Sequence, residues 1–99
     1  MFFFQPKFET IDTKTAKENL KNGYKVIDIR DKNSYQAGHI KGALNIPLAE
    51  LSSRMHELDK ENNYMVICYV GGSSKTASKV LYTAGYKVQN ISGGMKHWE

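Results

Sequence analysis

Residues 64–75 read YMVICYVGGSSK, and this stretch decides the fold. Residues 64–68 are apolar and rich in strand-forming side chains, which is typical of a β-strand buried on both faces. Gly71 and Gly72 interrupt that strand, and from Ser74 onward apolar residues recur at helical spacing. A buried strand, a short turn and an amphipathic helix together form one repeat of a parallel α/β fold.

The same alternation continues in both directions and predicts an α/β fold with a mostly parallel central sheet of about five short strands flanked by helices. Asp12 or Thr13 provides a cap for the first helix. The predicted strands cover residues 8–10, 24–29, 43–46, 64–68 and 87–91, and the predicted helices cover about 13–22, 32–37, 48–58 and 74–84. We expect one domain over residues 1–99, in which residues 1–7 form a short N-terminal extension.

The composition is that of an ordinary globular protein: of 99 residues, 40% are hydrophobic and 24% are charged. A chain of this length builds one hydrophobic core and has no room for a second domain. The formal charge of +4 comes mainly from lysines scattered along the sequence. We therefore expect a solvated basic surface that favours small anions, and no nucleic-acid partner.

The phenylalanines at positions 2–4 raise the question of a secretory signal, but Gln5, Pro6 and Lys7 interrupt them well short of the ~7–15 apolar residues that such a segment needs. No stretch approaches the ~20 apolar residues of a transmembrane helix. We expect a cytoplasmic protein with no membrane partner. Its single cysteine, Cys68, has no partner for an internal disulfide and stays reduced in that compartment.

Cys68 lies where chemistry is expected, because ligand sites of open α/β sheets lie beyond the carboxyl ends of the strands. The turn after Cys68 tightens into a helix start, where several backbone N–H groups point toward one place. Gly71 and Gly72 allow the positive φ angles that such a turn requires. This environment stabilises a thiolate, the nucleophilic form of cysteine. The alternative is that Cys68 is a small buried residue that closes a strand.

Three separated motifs resemble the signatures of rhodanese-like domains. The first is VIDIR at residues 26–30 followed by YQAGHIKGALNIP at residues 35–47, which is similar to the family's D-x-R…Y-x-x-G-H-I-x-G-A-x-N-I-P pattern. The second is the Cys68 loop, and the third is GGMKHW at residues 93–98, similar to the family's closing G-G-x-x-x-W. The resemblance covers nearly the whole chain and implies a rhodanese-like three-layer fold.

The resemblance also implies a sulfurtransferase that needs no metal or organic cofactor. Cys68 takes the outer sulfur of thiosulfate, or of a persulfidated protein, and holds it as a persulfide until a thiol or cyanide acceptor removes it. The catalytic residue is then Cys68. The residues expected to bind substrate are those that follow it in the loop: Tyr69, Val70, Gly71, Gly72, Ser73, Ser74 and Lys75.

Outside the loop, Asp28, Arg30 and His39 are expected to support the site. Asp28 and Arg30 are two apart on a strand, so their side chains point to one face, and in the family this pair fixes neighbouring loops. His39 follows a tight turn at Gly38, where a bracing hydrogen bond is expected rather than a role as general base. Trp98 is expected to seal the core against the sheet.

The loop departs from the family pattern at one position. Members that use thiosulfate commonly read C-x-x-G-x-R-S, and here Ser73 takes the place of the arginine. A guanidinium offers two parallel donors to an anion, whereas a hydroxyl offers one neutral donor. Lys75 either folds back to supply a charge or lies exposed on the helix. The substitution places efficient use of thiosulfate in question, and the absence of a loop arginine argues against the phosphatase activity of related folds.

Two other functions fit the same residues. One is an interaction module that keeps the fold and docks partners on the loop surface, for which the Ser73 substitution is the support. The other is redox sensing by oxidation of Cys68, which would need a resolving thiol from another molecule. Physiological donor, acceptor and oligomeric state do not follow from the sequence.

Overall fold

The structure, a computed structural model, describes residues 8–98; the predicted N-terminal extension at residues 1–7 lies outside the described residues. The strands are β1 (Glu9–Ile11), β2 (Lys25–Asp28), β3 (Leu44–Asn45), β4 (Asn63–Ile67) and β5 (Lys87–Ile91). The helices are α1 (Thr13–Lys21), α2 (Lys32–Ala37), α3 (Leu51–Arg54) and α4 (Gly72–Thr83), and short 3₁₀ turns cover Leu48–Glu50, Met55–Glu57 and Met95–His97.

The five strands form one sheet in the order β1-β5-β4-β2-β3, and every pair is parallel. In the register, Met65 of β4 lies between Val26 of β2 and Gln89 of β5. The middle strand is thus β4, whose last four residues are all buried. Its carboxyl end, which leads into the Cys68 loop, is flanked by strands on both sides.

Helices cover both faces of the sheet, as the continuous apolar runs of its strands require. On one face, Ile27 and Val66 pack with Leu51 of α3 and Leu81 of α4. On the other face, the neighbouring residues of the same strands pack with Ala16 of α1 and with Trp98 at the C-terminal end. The predicted three-layer α/β fold is confirmed, and the prediction for Trp98 agrees with its partly buried position on the second core.

One predicted helix differs. The segment 48–58 is not a continuous helix but a 3₁₀ turn, the four-residue α3 and a second 3₁₀ turn. The Ser53 hydroxyl donates to the carbonyl oxygen of Glu50 at 3.0 Å, a local bond that competes with the regular helical ladder. Leu48, which the helical pattern assigned to the buried stripe, is 37% exposed.

Helix α2 is held in place by its N-cap. The Asp31 carboxylate accepts a hydrogen bond from the N–H of Ser34 at 2.8 Å. This bond, together with the bond from the Ser34 hydroxyl, holds the pKa of the Asp31 carboxyl below its usual range. The cap therefore stays charged at neutral pH and fixes α2 beside the carboxyl end of β2.

Candidate functional site

Cys68 is the first residue after the middle strand, and main-chain bonds from both sides fix it there. The N–H of Ile29, which follows β2, donates to the carbonyl oxygen of Ile67 at 3.0 Å. On the other side, the N–H of Met95 donates to the carbonyl oxygen of Cys68 at 2.7 Å. The backbone at Ile67 and Cys68 is therefore held between the residue that follows β2 and the 3₁₀ turn that follows β5.

The loop after Cys68 turns its N–H groups back onto the sulfur. The N–H of Gly71 donates to Cys68 Sγ at 2.9 Å. Gly71 has a φ of +103°, which glycine adopts without strain, and it directly precedes α4. Gly72 differs from the prediction: it is the first residue of α4 and lies outside the set of glycines with positive φ, because the turn is completed by Gly71 alone.

These bonds change the acidity of the thiol. Burial raises the pKa of Cys68, but hydrogen bonds from the hydroxyl and N–H of Ser74, and from the N–H groups of Gly71 and Val70, together lower it more. The pKa of Cys68 therefore lies below its usual range. A larger fraction of Cys68 is thiolate at neutral pH than for a free cysteine.

The turn at residues 93–94 closes the loop from behind. The N–H of Lys96 donates to the carbonyl oxygen of Tyr69 at 2.9 Å, beside the bond from Met95 to Cys68. Gly94 approaches this backbone so closely that an added Cβ would lie 2.5 Å from the carbonyl oxygen of Cys68 and overlap that of Tyr69. Gly94, at a φ of +60°, therefore allows the C-terminal segment to support the Cys68 loop.

A cavity of about 480 Å³ leads to the sulfur. Cys68 itself is only 4% exposed, so the cavity is the route by which a reactant reaches it. Tyr69 stands at its rim and is 57% exposed, and the neighbouring Val70 is 59% exposed, as their expected outward orientation requires. The lining residues come from the ends of two strands, from α2 and from the loop: Ile29, Arg30, Asp31, Ser34, Ala37, Leu48, Cys68, Tyr69 and Ser73.

Residues 12–99 match the family model of the rhodanese-like domain. The chain belongs to the rhodanese-like domain family. It is similar to a rhodanese-related protein from Thermoplasma volcanium, with 31% identity, coverage of 92% of this chain and 90% of that one, and a TM-score of 0.88. This agreement over nearly the full length of both chains extends the match from sequence to fold.

Two larger proteins contain a region similar to this chain. One is reduced CoADR-RHD from Bacillus anthracis, with 35% identity over 90% of this chain and 16% of that chain, at a TM-score of 0.85. The other is an NAD-dependent persulfide reductase from A. fulgidus, with 29% identity over 93% of this chain and 16% of that chain, at a TM-score of 0.75. The present chain thus spans a small part of each of these proteins.

In this rhodanese-like domain, Asp28 and Arg30 form an ion pair beside the cavity that leads to Cys68. Arg30 Nη2 lies 2.7 Å from Asp28 Oδ2, with the side chain of Asp28 fully buried and that of Arg30 12% exposed. Nη2 also donates to the carbonyl oxygen of Gly38 at 2.7 Å, which ties α2 to the end of β2. Arg30 follows β2 rather than lying on it, because that strand ends at Asp28.

Arg30 also brings positive charge to the cavity, which the loop sequence by itself lacks. The hydrogen bonds that Arg30 donates to the Asp28 carboxylate raise the pKa of the guanidinium more than its partial burial lowers it, and the charge of Cys68 contributes to the rise. The guanidinium therefore stays charged beside the sulfur. The sequence motif identified Arg30 as a structural residue, but its place in the cavity lining depends on the path of the chain after β2.

His39 braces the turn next to this pair. Its Nδ1 lies 2.8 Å from the carbonyl oxygen of Tyr35, and the two rings stack with centroids 3.7 Å apart. Asn45 has a related role that the sequence analysis missed: its Nδ2 donates to the carbonyl oxygens of Asp28 and Arg30 at 2.9 and 3.0 Å. These contacts make His39 and Asn45 supports of the loops around the cavity.

The predicted substrate-binding residues occupy different positions. Tyr69 and Ser73 line the cavity, and Ser74 is buried against the sulfur. Lys75 lies exposed in the first turn of α4 and is not among the lining residues. Its expected role toward a substrate anion stays a prediction.

A larger cavity, of about 580 Å³, lies at the amino ends of the strands, opposite the Cys68 loop. Its walls include Tyr64 and Tyr86, whose hydroxyls are engaged in the structure: Tyr64 Oη accepts from the N–H of Asp59 at 3.0 Å, and Tyr86 donates to the carbonyl oxygen of Met55 at 2.8 Å. Size alone therefore does not identify the reactive end of the molecule.

Within residues 8–98, no three His, Cys, Asp or Glu side chains come together in a group suited to a metal ion. No helix in this part of the chain is both long and apolar enough to cross a membrane.

Proposed function

We propose that this rhodanese-like domain is a sulfurtransferase that carries sulfane sulfur on Cys68. The single observation that carries the proposal is the hydrogen bond from the Gly71 N–H to Cys68 Sγ at 2.9 Å, in a loop that opens onto a cavity. Donors aimed at the place where negative charge develops stabilise an anion without reorganisation. The same donors serve a thiolate and a terminal persulfide sulfur, because both carry one negative charge close to the loop.

In the first half-reaction, the Cys68 thiolate attacks the outer sulfur of the donor. A new S–S bond forms to Cys68, and the bond between the outer sulfur and the rest of the donor breaks. The leaving group departs with the electron pair: sulfite when the donor is thiosulfate, or a thiolate when the donor is a persulfide. The product is Cys68 with one additional sulfur atom that bears the negative charge.

In the second half-reaction, an acceptor nucleophile attacks the terminal sulfur. The S–S bond to Cys68 breaks, and its electron pair returns to Cys68 as thiolate. A thiol acceptor leaves as a persulfide, and cyanide leaves as thiocyanate. No net oxidation of the protein occurs over the cycle, so no resolving cysteine is required.

The rim of the cavity supports a persulfide as the preferred donor over thiosulfate. Ser73 stands where active thiosulfate users carry an arginine, and Arg30 commits its Nε and Nη2 donors to Asp28 and Gly38. The exposed side chains of Tyr69 and Val70 present apolar surface to an incoming thiol compound or protein. The likeness to part of a persulfide reductase supports this assignment.

The experiment that tests the proposal is intact-mass analysis after incubation with thiosulfate or with a persulfide donor. We expect about +32 Da on the wild-type protein and no addition on Cys68→Ala. Oxidation to a sulfinic acid adds nearly the same mass, so each sample is also treated with dithiothreitol, which removes a persulfide sulfur and leaves a sulfinic acid in place.

Four results would overturn the proposal. An addition that resists dithiothreitol would favour redox sensing. No addition with either donor would favour the interaction module. Equal addition on wild type and Cys68→Ala would place the sulfur on another residue, and failure of the loaded protein to convert cyanide to thiocyanate would remove the second half-reaction.

A further inference from the structure

Behind the Cys68 loop lies a buried polar pair, in which Ser74 ends the loop motif and Asn90 belongs to none of the three family motifs. Ser74 of α4 is fully buried and Asn90 of β5 is 2% exposed. The Ser74 hydroxyl lies 2.6 Å from Asn90 Oδ1. Asn90 interrupts a strand whose neighbours Val88 and Ile91 belong to the apolar core. Burying an amide costs free energy unless the amide is hydrogen-bonded. The burial of Asn90 in this strand therefore points to a role for its hydrogen bonds.

The Ser74 hydroxyl has more acceptors around it than protons to give. It lies 3.2 Å from the carbonyl oxygen of Gly71 and 2.6 Å from Asn90 Oδ1, and a hydrogen bond from the same hydroxyl is among the causes that lower the pKa of Cys68. A hydroxyl carries one proton and two acceptor lone pairs. The direction of this proton therefore depends on what the Asn90 amide presents to it.

The far side of the Asn90 amide faces β1, the strand at one edge of the sheet. Asn90 Nδ2 lies 3.4 Å from Thr10 Oγ1 on β1, whose side chain belongs to an exposed residue. A bond of this length is weak, so little is lost when the amide turns over. The Thr10 hydroxyl is itself both donor and acceptor and fits either orientation of the amide.

We propose that Asn90 is a positioning residue, and that Thr10, Asn90 and Ser74 form a hydrogen-bond chain that reverses its direction when Cys68 becomes an anion. With the neutral thiol, Ser74 donates to Asn90 Oδ1 and Asn90 Nδ2 donates to Thr10. With the anion, the amide rotates by a half turn: Thr10 donates to Oδ1, Nδ2 donates to Ser74, and the Ser74 hydroxyl donates to the sulfur. Every group keeps its own proton, and only the bond directions change.

The chain favours the anion because successive hydrogen bonds of one direction polarise one another. A Ser74 hydroxyl that accepts a hydrogen bond from Asn90 is a stronger donor toward the sulfur than one that accepts no hydrogen bond. The inference deepens the proposed function, on which its biological meaning rests, since thiolate and persulfide are both anions. Its physical content is the stability of the Cys68 thiolate, which is measurable without any sulfur donor.

The test is the pH dependence of alkylation of Cys68 by iodoacetamide, which is unambiguous in a chain with one cysteine. We expect Asn90→Leu, which is similar in size and cannot donate, to raise the midpoint by about one pH unit, a tenfold loss of rate well below it. We expect Thr10→Val to raise the midpoint by about half a unit, and Thr10→Ser to restore the wild-type value. Thr10 is exposed, so its variants keep the test available if Asn90→Leu does not fold.

The decisive control is Ser74→Ala. In the proposed hydrogen-bond chain, Asn90 reaches the sulfur through Ser74. Asn90→Leu should therefore give no additional shift of the alkylation midpoint in a Ser74→Ala background. Arg30, Asp31 and Tyr69 line the cavity with Cys68, Asp28 pairs with Arg30, and His97 packs on the turn at Gly93. These titratable groups are unchanged in the variants, so they contribute equally to each midpoint.

A folded Asn90→Leu protein with the wild-type midpoint would overturn the inference, and so would a shift that persists in full without the Ser74 hydroxyl. A loss of thermal stability with no change in midpoint would reduce Asn90 to a packing residue, which also contradicts it. Failure of the proposed function looks different: the midpoints would shift as expected while the wild-type protein took up no sulfur.

Discussion

The parallel strands have a cavity at each end, and we call these ends of the sheet the amino edge and the carboxyl edge. The two cavities are similar in size and opposite in character. At the amino edge, a cavity of about 580 Å³ is lined in part by Tyr64 and Tyr86, whose hydroxyls form hydrogen bonds with nearby main-chain groups. At the carboxyl edge, about 480 Å³ leads to a single sulfur that accepts a backbone N–H at 2.9 Å. The smaller cavity lies at the carboxyl ends of the strands, toward which the helix that follows β4 points its first N–H groups.

The edges also differ in how tightly their turns are built. Gly23 precedes β2 at the amino edge with a φ of +90° and nothing within 4 Å of an added Cβ. Gly94, at the carboxyl edge, has two carbonyl oxygens in direct contact with that position. Gly94 is therefore packed directly against the Cys68 loop, whereas Gly23 faces open space.

The largest effect is expected for Gly94→Ala. The added methyl group collides with the Cys68 and Tyr69 carbonyls in a backbone conformation that already disfavours alanine, and we expect a loss of roughly 3–5 kcal/mol in the free energy of unfolding. Gly23→Ala is the matched control, with positive φ but open space, and should lose about 1 kcal/mol. Urea denaturation measures both, and similar losses would remove the distinction between the two turns.

An intermediate effect is expected for Arg30→Ala. The variant leaves the fully buried Asp28 carboxylate without its ion-pair partner, and we expect a loss of about 3 kcal/mol in unfolding free energy. Arg54→Ala is the matched control, because Arg54 pairs with Glu50 and Glu57 on the surface, and its loss should be several times smaller. Comparable losses from the two variants in urea denaturation would show that the carboxyl edge is not specially braced.

The smallest effect is expected for Ser73→Arg. A guanidinium at the cavity offers two parallel donors to thiosulfate, so we expect about tenfold faster sulfur loading from thiosulfate, equivalent to about 1.4 kcal/mol, with no comparable gain from a persulfide donor. Asn63→Arg adds the same charge at the amino-edge cavity and should leave the loading rate unchanged. Loading by intact mass against time measures both, and an equal gain in both variants would reduce the effect to net charge.

Much of the fold followed from local pattern. The boundaries of α2 and β5 agree with the predicted residues, since a clear cap, glycine stop signals and an apolar run mark their ends. The segment 48–58 did not, because apolar spacing alone does not distinguish a regular helix from consecutive 3₁₀ turns. Leu48, the first residue of this segment, is partly exposed and belongs to the cavity wall.

The site was predictable where a motif carried it and not elsewhere. Cys68 and its loop stand out in one continuous stretch, whereas Asn90 reaches them from a strand 22 positions after Cys68. The sequence does not single out Asn90, because β5 reads KVQNI and contains other polar residues. Asn45 was missed for the same reason, since its carbonyl partners belong to β2 and the turn after it.

The sequence by itself determined the alternation of strands and helices, the position of Cys68 at a strand end and the glycines that follow it. These depend on interactions between residues close together in the chain. Only the tertiary structure decided that Arg30 faces the same cavity as the sulfur, that Gly94 supports the loop from behind and that Asn90 contacts Ser74. Such contacts depend on the strand order β1-β5-β4-β2-β3, which brings distant segments to the two sides of β4.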